Sequence, residues 1–196
     1  MDFHERYRGL VDKLRGQRPD AVRDAAVLHL PARVPPWTDT GLTVERGDRL
    51  TVLAAGRVVW GAGLEAGPRY HLWGRIGDDP PFRLGTDTAT LAAAGGGRLR
   101  LCIYHGTWAT PDGTLATPID AYAALQGGLD VLVIRWHAGF PAERGLAELA
   151  SLAPSDPLLA EERARAAAAR RLPDGFEPLW FLGHSEIFHR AESEGA

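Results

Sequence analysis

Gly47-Asp48-Arg49-Leu50-Thr51-Val52-Leu53-Ala54-Ala55-Gly56-Arg57-Val58-Val59-Trp60 is the stretch on which the fold turns. It opens on a Gly-Asp turn, runs through β-branched and small apolar residues, and ends on a tryptophan before Gly61-Ala62-Gly63. Such a segment predicts a long strand, with Gly56 marking a bulge or bend.

Strand signals continue on both sides of it. Leu42 and Val44 alternate with polar neighbours, and in Tyr70 to Ile76 the residues Leu72, Gly74 and Ile76 alternate with Trp73 and Arg75. Thr86 to Leu91, Arg98 to Tyr104 and Asp130 to Trp136 read the same way, the last apolar on both faces and therefore central. Gly77-Asp78-Asp79-Pro80-Pro81, Gly95-Gly96-Gly97, Pro111-Asp112-Gly113 and Gly127-Gly128 separate them as turns or loops. Apart from a short helix at Pro118 to Leu125, no helix falls between strands. The prediction is a mainly β protein with antiparallel pairing, a β-sandwich over residues 35–139.

The flanks read as helical extensions. In residues 1–34, Phe3, Tyr7, Leu10, Val11 and Leu14 recur at helical spacing. A second helical piece is expected from Pro19-Asp20 to just before Pro31. In residues 140–196, Leu146, Leu149 and Leu152 share a helix face, and Ser155-Asp156-Pro157 starts an alanine-rich helix reaching about Leu172. Leu179 to Gly183 is a last apolar segment, read as an added strand, and Glu192 to Ala196 a disordered tail. These extensions offer surfaces for packing on the sandwich, for a second copy of the chain or for a partner protein.

Composition excludes several function classes. The 196 residues suit one domain with appendages. A net charge of -3, with its 22 basic residues scattered, gives no footprint for nucleic acid. Cys102 is the single cysteine and lies between Leu101 and Ile103, a buried thiol rather than a nucleophile. No run approaches the roughly 20 apolar residues that span a bilayer, and Met1 to Gln17 is too polar for a secretory leader. A cytoplasmic protein without a membrane span is expected.

The Gly47 to Gly56 segment resembles the core signature of the calcium-dependent, galactose-binding bacterial lectins of the PA-I type. Leu72-x-x-Arg75-Ile76-Gly77 and Leu99 to Tyr104 are similar to the strands that follow in that family, so the resemblance covers about residues 36 to 137. It implies a galactose-binding-like jelly-roll sandwich that binds sugar hydroxyls through Ca²⁺ held in loops at one end. It further implies calcium ligands at Trp60 (backbone carbonyl), Thr110 (carbonyl) and Asp112 (carboxylate). The chain departs from the pattern after Tyr104, where His105-Gly106 stands in place of an early Asp. The family's His and Gln sugar contacts have no counterpart within Gly61 to Tyr70.

Residue chemistry favours a binding protein over an enzyme. There is no G-x-S-x-G, the serines at 151, 155, 185 and 193 all fall outside the sandwich, and Gly95-Gly96-Gly97 lacks a phosphate loop's Lys. His184 and His189 lack a zincin's helical context. Trp60, Trp73 and Trp108 fall near strand ends, whereas Trp136 and Trp180 read as packing. The predicted ligand surface is Trp60, His105, Trp108, Thr110 and Asp112, and the predicted ligand a sugar or other polyol. The alternative is an interaction module on the same fold. An exposed Trp108 with Asp112 turned inward favours the first; a buried Trp108 with Asp112 bonded to its own turn favours the second.

Overall fold

The computed structural model describes residues 2–84, 88–106, 108–110 and 112–169. Leu179 to Gly183, His184, His189 and the tail lie outside them. The chain runs α1 (Phe3–Gln17), β1 (Val22–Pro31), β2 (Thr38–Val44), β3 (Arg49–Trp60), β4 (Leu64–Ala66), α2 (Pro68–His71), β5 (Leu72–Ile76) and β6 (Phe82–Arg83). It continues through β7 (Thr88–Ala92), β8 (Gly97–Ile103), α3 (Asp120–Ala123), β9 (Gln126–Trp136), α4 (Ala142–Leu152) and α5 (Pro157–Ala169). Among the described residues no helix is long and apolar enough to cross a membrane.

Two antiparallel sheets form a sandwich. One has the order β1-β9-β3, with the far edge of β3 taken by β7 beside Arg49–Leu53 and by β4 beside Val58–Trp60. The other has the order β2-β8-β5-β6. Leu50, Val52, Ala54 and Val58 of β3 and Leu129, Val131 and Val133 of β9 meet Leu72, Ile76, Leu99, Leu101 and Ile103 from the second sheet. Each buried Val, Leu or Ile among them contributes about 1.5–3 kcal/mol.

The expected second helix is a strand instead. β1 pairs with β9 from Val22↔Trp136 to Pro31↔Gly128. Its Ala26, Leu28 and Leu30 face the sandwich core, while Val22, Ala25 and Val27 face α1 and its neighbours. A strand covered on both sides loses its polar alternation, and its apolar run then reads as helix. The strand expected to begin at Tyr70 begins at Leu72, because Pro68 opens a helical turn there. Gly56 makes no bulge, since the β3–β9 register is continuous from Leu50↔Arg135 to Val59↔Gln126. It has φ +110°, and a Cβ there would lie 2.4 Å from the Gly128 carbonyl oxygen. Close approach of two strands demands the glycine.

The terminal helices pack on the sandwich. Tyr7, Leu10, Val11 and Leu14 of α1 and Leu146, Leu149 and Ala150 of α4 share a second core with Leu132, Ile134 and Trp136 of β9. Asp156 caps α5 through its bond from the Leu159 amide (3.0 Å) and also accepts the Tyr7 hydroxyl. The Gly47-Asp48 turn is tied to β9 as well. Arg135, buried among these apolar residues, places Nε 2.6 Å from Asp48 Oδ2 and donates to the Thr43 carbonyl (2.7 Å) and Glu45 (3.1 Å). The turn that opens the sequence signature is thus fixed by a guanidinium 87 residues downstream.

Candidate functional site

Strand directions bring five aromatic or imidazole side chains to one end of the sandwich. Trp60 is the last residue of β3, and the antiparallel register places its neighbour Val59 opposite Gln126, the first residue of β9. α3, which carries Tyr122, leads into that same end. In the second sheet Leu72, the first residue of β5, pairs with Ile103, the last of β8. Tyr70 and His71 therefore precede one strand where His105 follows the other.

His71 is the fixed point. Its backbone carbonyl accepts the Tyr104 amide at 2.7 Å, which extends the β5–β8 ladder by one pair. Its Nδ1 lies 2.7 Å from the Tyr104 carbonyl, an acceptor only, so Nδ1 carries the proton and donates. Nε2 is left with a lone pair and no hydrogen-bond partner, in a side chain with no solvent exposure. Burial disfavours the imidazolium and pushes the His71 pKa below the usual histidine value; the Tyr104 carbonyl opposes this and His105 adds to it. Burial also lowers the pKa of His105.

Rings assemble around it. Trp60 and Tyr70 stand nearly perpendicular to His71, with centroids 5.2 and 4.8 Å away. Trp60 and Tyr70 lie within 13° of parallel, 6.1 Å apart, and Tyr70 is 45% exposed. His105, half-buried, sits 6.3 Å from Trp60 and 6.4 Å from His71. Tyr122 is buried beneath His105 and bonds its backbone twice, accepting from the amide (3.1 Å) and donating to the carbonyl (3.2 Å). Burial pushes the Tyr122 hydroxyl pKa up to about 12, so it stays neutral in both roles. Leu64, paired with Trp60, and Ile119, which precedes α3, are 57% and 70% exposed.

The predicted ligand residues divide between two places. Trp60 and His105 meet in this cluster. Trp108 lies instead with Trp37, Trp73, Cys102 and Tyr104, on the side of β5 and β8 away from the core. Its ring stacks on Trp37 at 5.5 Å and 6°, and it is half-buried. Asp112 is bonded to its own turn: Oδ1 accepts the Thr110 hydroxyl, the Thr114 amide (3.0 Å) and the Thr114 hydroxyl (2.8 Å). Those bonds, the Thr110 hydroxyl first, hold the Asp112 carboxyl below its ordinary pKa. No contact joins Asp112 or Thr110 to Trp60 among the described residues. The implied calcium donors therefore do not fit one ion. They offer two backbone carbonyls and one carboxylate whose Oδ1 is already engaged three times, where Ca²⁺ takes about 6–8 oxygens.

Sequence reasoning did not single out Tyr70, His71 or Tyr122, which the structure brings into this candidate site. Pro68 ahead of Tyr70-His71 was the available signal, a helix start rather than strand interior. A groove of about 350 Å³ between α1 and β1, lined by Arg8, Asp12, Arg15 and Thr40 among others, shares none of these residues.

Comparison with solved structures gives two likenesses. The N-terminal domain of EclA, a PllA-like lectin, matches with a TM-score of 0.46 and 18% identity over 60% of this chain and 98% of that one. A functionally unknown conserved protein, a mutant from Bacillus anthracis str. Ames, matches with a TM-score of 0.29 and 12% identity over 68% of this chain and 27% of that one. No protein-family model matches the sequence, and no curated protein matches it. Both identities are too low to transfer a binding residue.

Proposed function

We propose that the protein binds carbohydrate without catalysis, on the surface formed by Trp60, Tyr70 and His105. The observation that carries the reading is the near-parallel Trp60–Tyr70 pair, with Tyr70 45% exposed, at the sandwich end where His71 and Tyr122 hold it in place. A pyranose has C–H faces that pack on such rings and hydroxyls that need nearby donors and acceptors. His105 supplies the polar group at the edge of the rings. Rigid aromatics contribute contact area at small entropic cost, which suits a weak, shallow site. Ligand identity is that of a sugar or related polyol, held without calcium from the Trp60, Thr110 and Asp112 donors.

A second reading has its own observation. Leu64, paired with Trp60, and Ile119, three residues before Tyr122, are exposed apolar side chains, and exposed apolar surface marks protein interfaces as well. The bonding of Asp112 to its own turn also favours this reading over a loop-centred sugar site. A glycan array on the full chain separates the two. Binding that is weakened by Tyr70→Ala supports the lectin reading, and failure to bind any glycan contradicts it.

A further inference from the structure

We propose that His4, His29 and Asp130 form a binding site for a divalent transition-metal ion of the zinc class, fastening α1 to the first sheet. Three separate segments deliver these ligands. His29 in β1 stands directly opposite Asp130 in β9, and the first turn of α1 lays His4 over the same pair. His4 Nε2 is 2.9 Å and His29 Nδ1 is 2.8 Å from Asp130 Oδ1. The three donor atoms all lie within 4.8 Å of one another. Neighbouring Gly128 leaves room for the His29 ring, since a Cβ there would fall 2.8 Å from its Cε1.

Two imidazoles converging on one carboxylate oxygen are the hydrogen-bonded, metal-free form of such a site. In the metal-free state each ring donates N–H to Asp130. When an ion enters, each ring moves its proton to the other nitrogen and turns a lone pair inward. Nitrogen at about 2.0–2.1 Å from a tetrahedral ion sets donors about 3.3 Å apart. The observed 2.8–2.9 Å spacings must therefore open by about 0.4–0.5 Å, within reach of side-chain rotation. Two nitrogens and one carboxylate suit Zn²⁺, Co²⁺ or Ni²⁺ and leave Ca²⁺ poorly served. His4, His29 and Asp130 are 27%, 50% and 33% exposed, so an ion can enter and a water can fill the fourth position.

Calorimetric titration of the full chain with Zn²⁺ in a non-chelating buffer tests this. One ion per chain is expected, with a melting temperature that rises with Zn²⁺ and falls back on adding EDTA. Bound Co²⁺ should give the intense visible absorption of four-coordinate geometry. His29→Ala and Asp130→Asn should each weaken Zn²⁺ binding at least tenfold, and circular dichroism checks that both fold. Asp130→Asn keeps an acceptor for the rings and so preserves the metal-free packing. Absence of Zn²⁺ binding in the unmodified chain overturns the proposal. So does binding that both substitutions leave unchanged, which places the ion on other residues. Tyr70→Ala should leave Zn²⁺ binding intact, so this outcome is independent of the carbohydrate reading.

Discussion

The indole of Trp60 and the phenol of Tyr70 lie 13° from parallel with centroids 6.1 Å apart, and both rings stand on edge against the buried imidazole of His71. Trp60 arrives at the end of a central strand, whereas Tyr70 sits in a single helical turn next to His71. The pair is positioned by packing rather than by its own contact. Tyr70, the more exposed partner, is the residue to remove. Tyr70→Ala should weaken sugar binding about tenfold, about 1.4 kcal/mol. Its stability cost, read by thermal unfolding, should be about 0.5–1.5 kcal/mol for the lost ring contacts.

Acid should destabilise the fold through His71. The unfolded chain takes up this proton near pH 6.5, while the folded protein resists it to lower pH. More protons on the unfolded state mean stability rises with pH across that window. The contribution is therefore intact above about pH 6.5 and is lost as pH falls through the folded-state value. His71→Asn keeps a donor for the Tyr104 carbonyl and removes the titration. Melting temperatures from pH 4 to pH 8 should show a flatter acid limb in that variant, and an unchanged limb rejects the assignment.

Arg135 should be among the costliest single side chains to remove. It is 5% exposed, and Asp48 beside it is 9% exposed. Arg135→Ala leaves that carboxylate without its guanidinium and should cost about 3–5 kcal/mol in denaturant unfolding. Arg135→Lys should recover only part, because one ammonium does not reproduce the fork that also reaches Glu45 and the Thr43 carbonyl.

Packing of α4 on the sandwich has a sharp test at Gly145. A Cβ there would lie 2.2 Å from the Trp136 ring, which is buried and bonded through Nε1 to the Thr51 hydroxyl at 2.9 Å. Gly145→Ala gains helix propensity, so an isolated helix would be stabilised. In the intact protein the clash should dominate and destabilise by about 1–3 kcal/mol in urea unfolding. A stabilised variant would separate α4 from the sandwich.

The sandwich was legible in the sequence because β3, β8 and β9 carry long β-rich runs bounded by glycine turns. β1 was not, since burial against α1 on one side and the core on the other removes the alternation that marks a strand. The ring cluster of the candidate site was legible only in part. Trp60 and His105 carry chemistry recognisable in any context, and the structure brings both into one ring cluster. His71 and Tyr122 gain their roles only from a backbone carbonyl of Tyr104 and a backbone pair at His105, contacts that side-chain identity does not announce. Asp112 stands apart from that cluster, its Oδ1 engaged by the Thr110 and Thr114 hydroxyls of a Thr-x-Asp-x-Thr turn.

We propose that sugar binding does not need calcium, because Asp112 Oδ1 is engaged within its own turn. EDTA should leave glycan binding unchanged, and Asp112→Ala should shift affinity less than about twofold while loosening only its local turn. Loss of binding in EDTA that Ca²⁺ restores and Zn²⁺ does not would return the site to the Trp60, Thr110 and Asp112 donors.

The most direct measurement is a glycan array probed with the full chain in EDTA, followed by titration of the best glycan against the unmodified protein, Tyr70→Ala and Asp112→Ala. The Trp60–Tyr70 surface predicts saturable binding that falls about tenfold with Tyr70→Ala and holds with Asp112→Ala. Binding that ignores Tyr70→Ala, or no glycan bound at all, contradicts it.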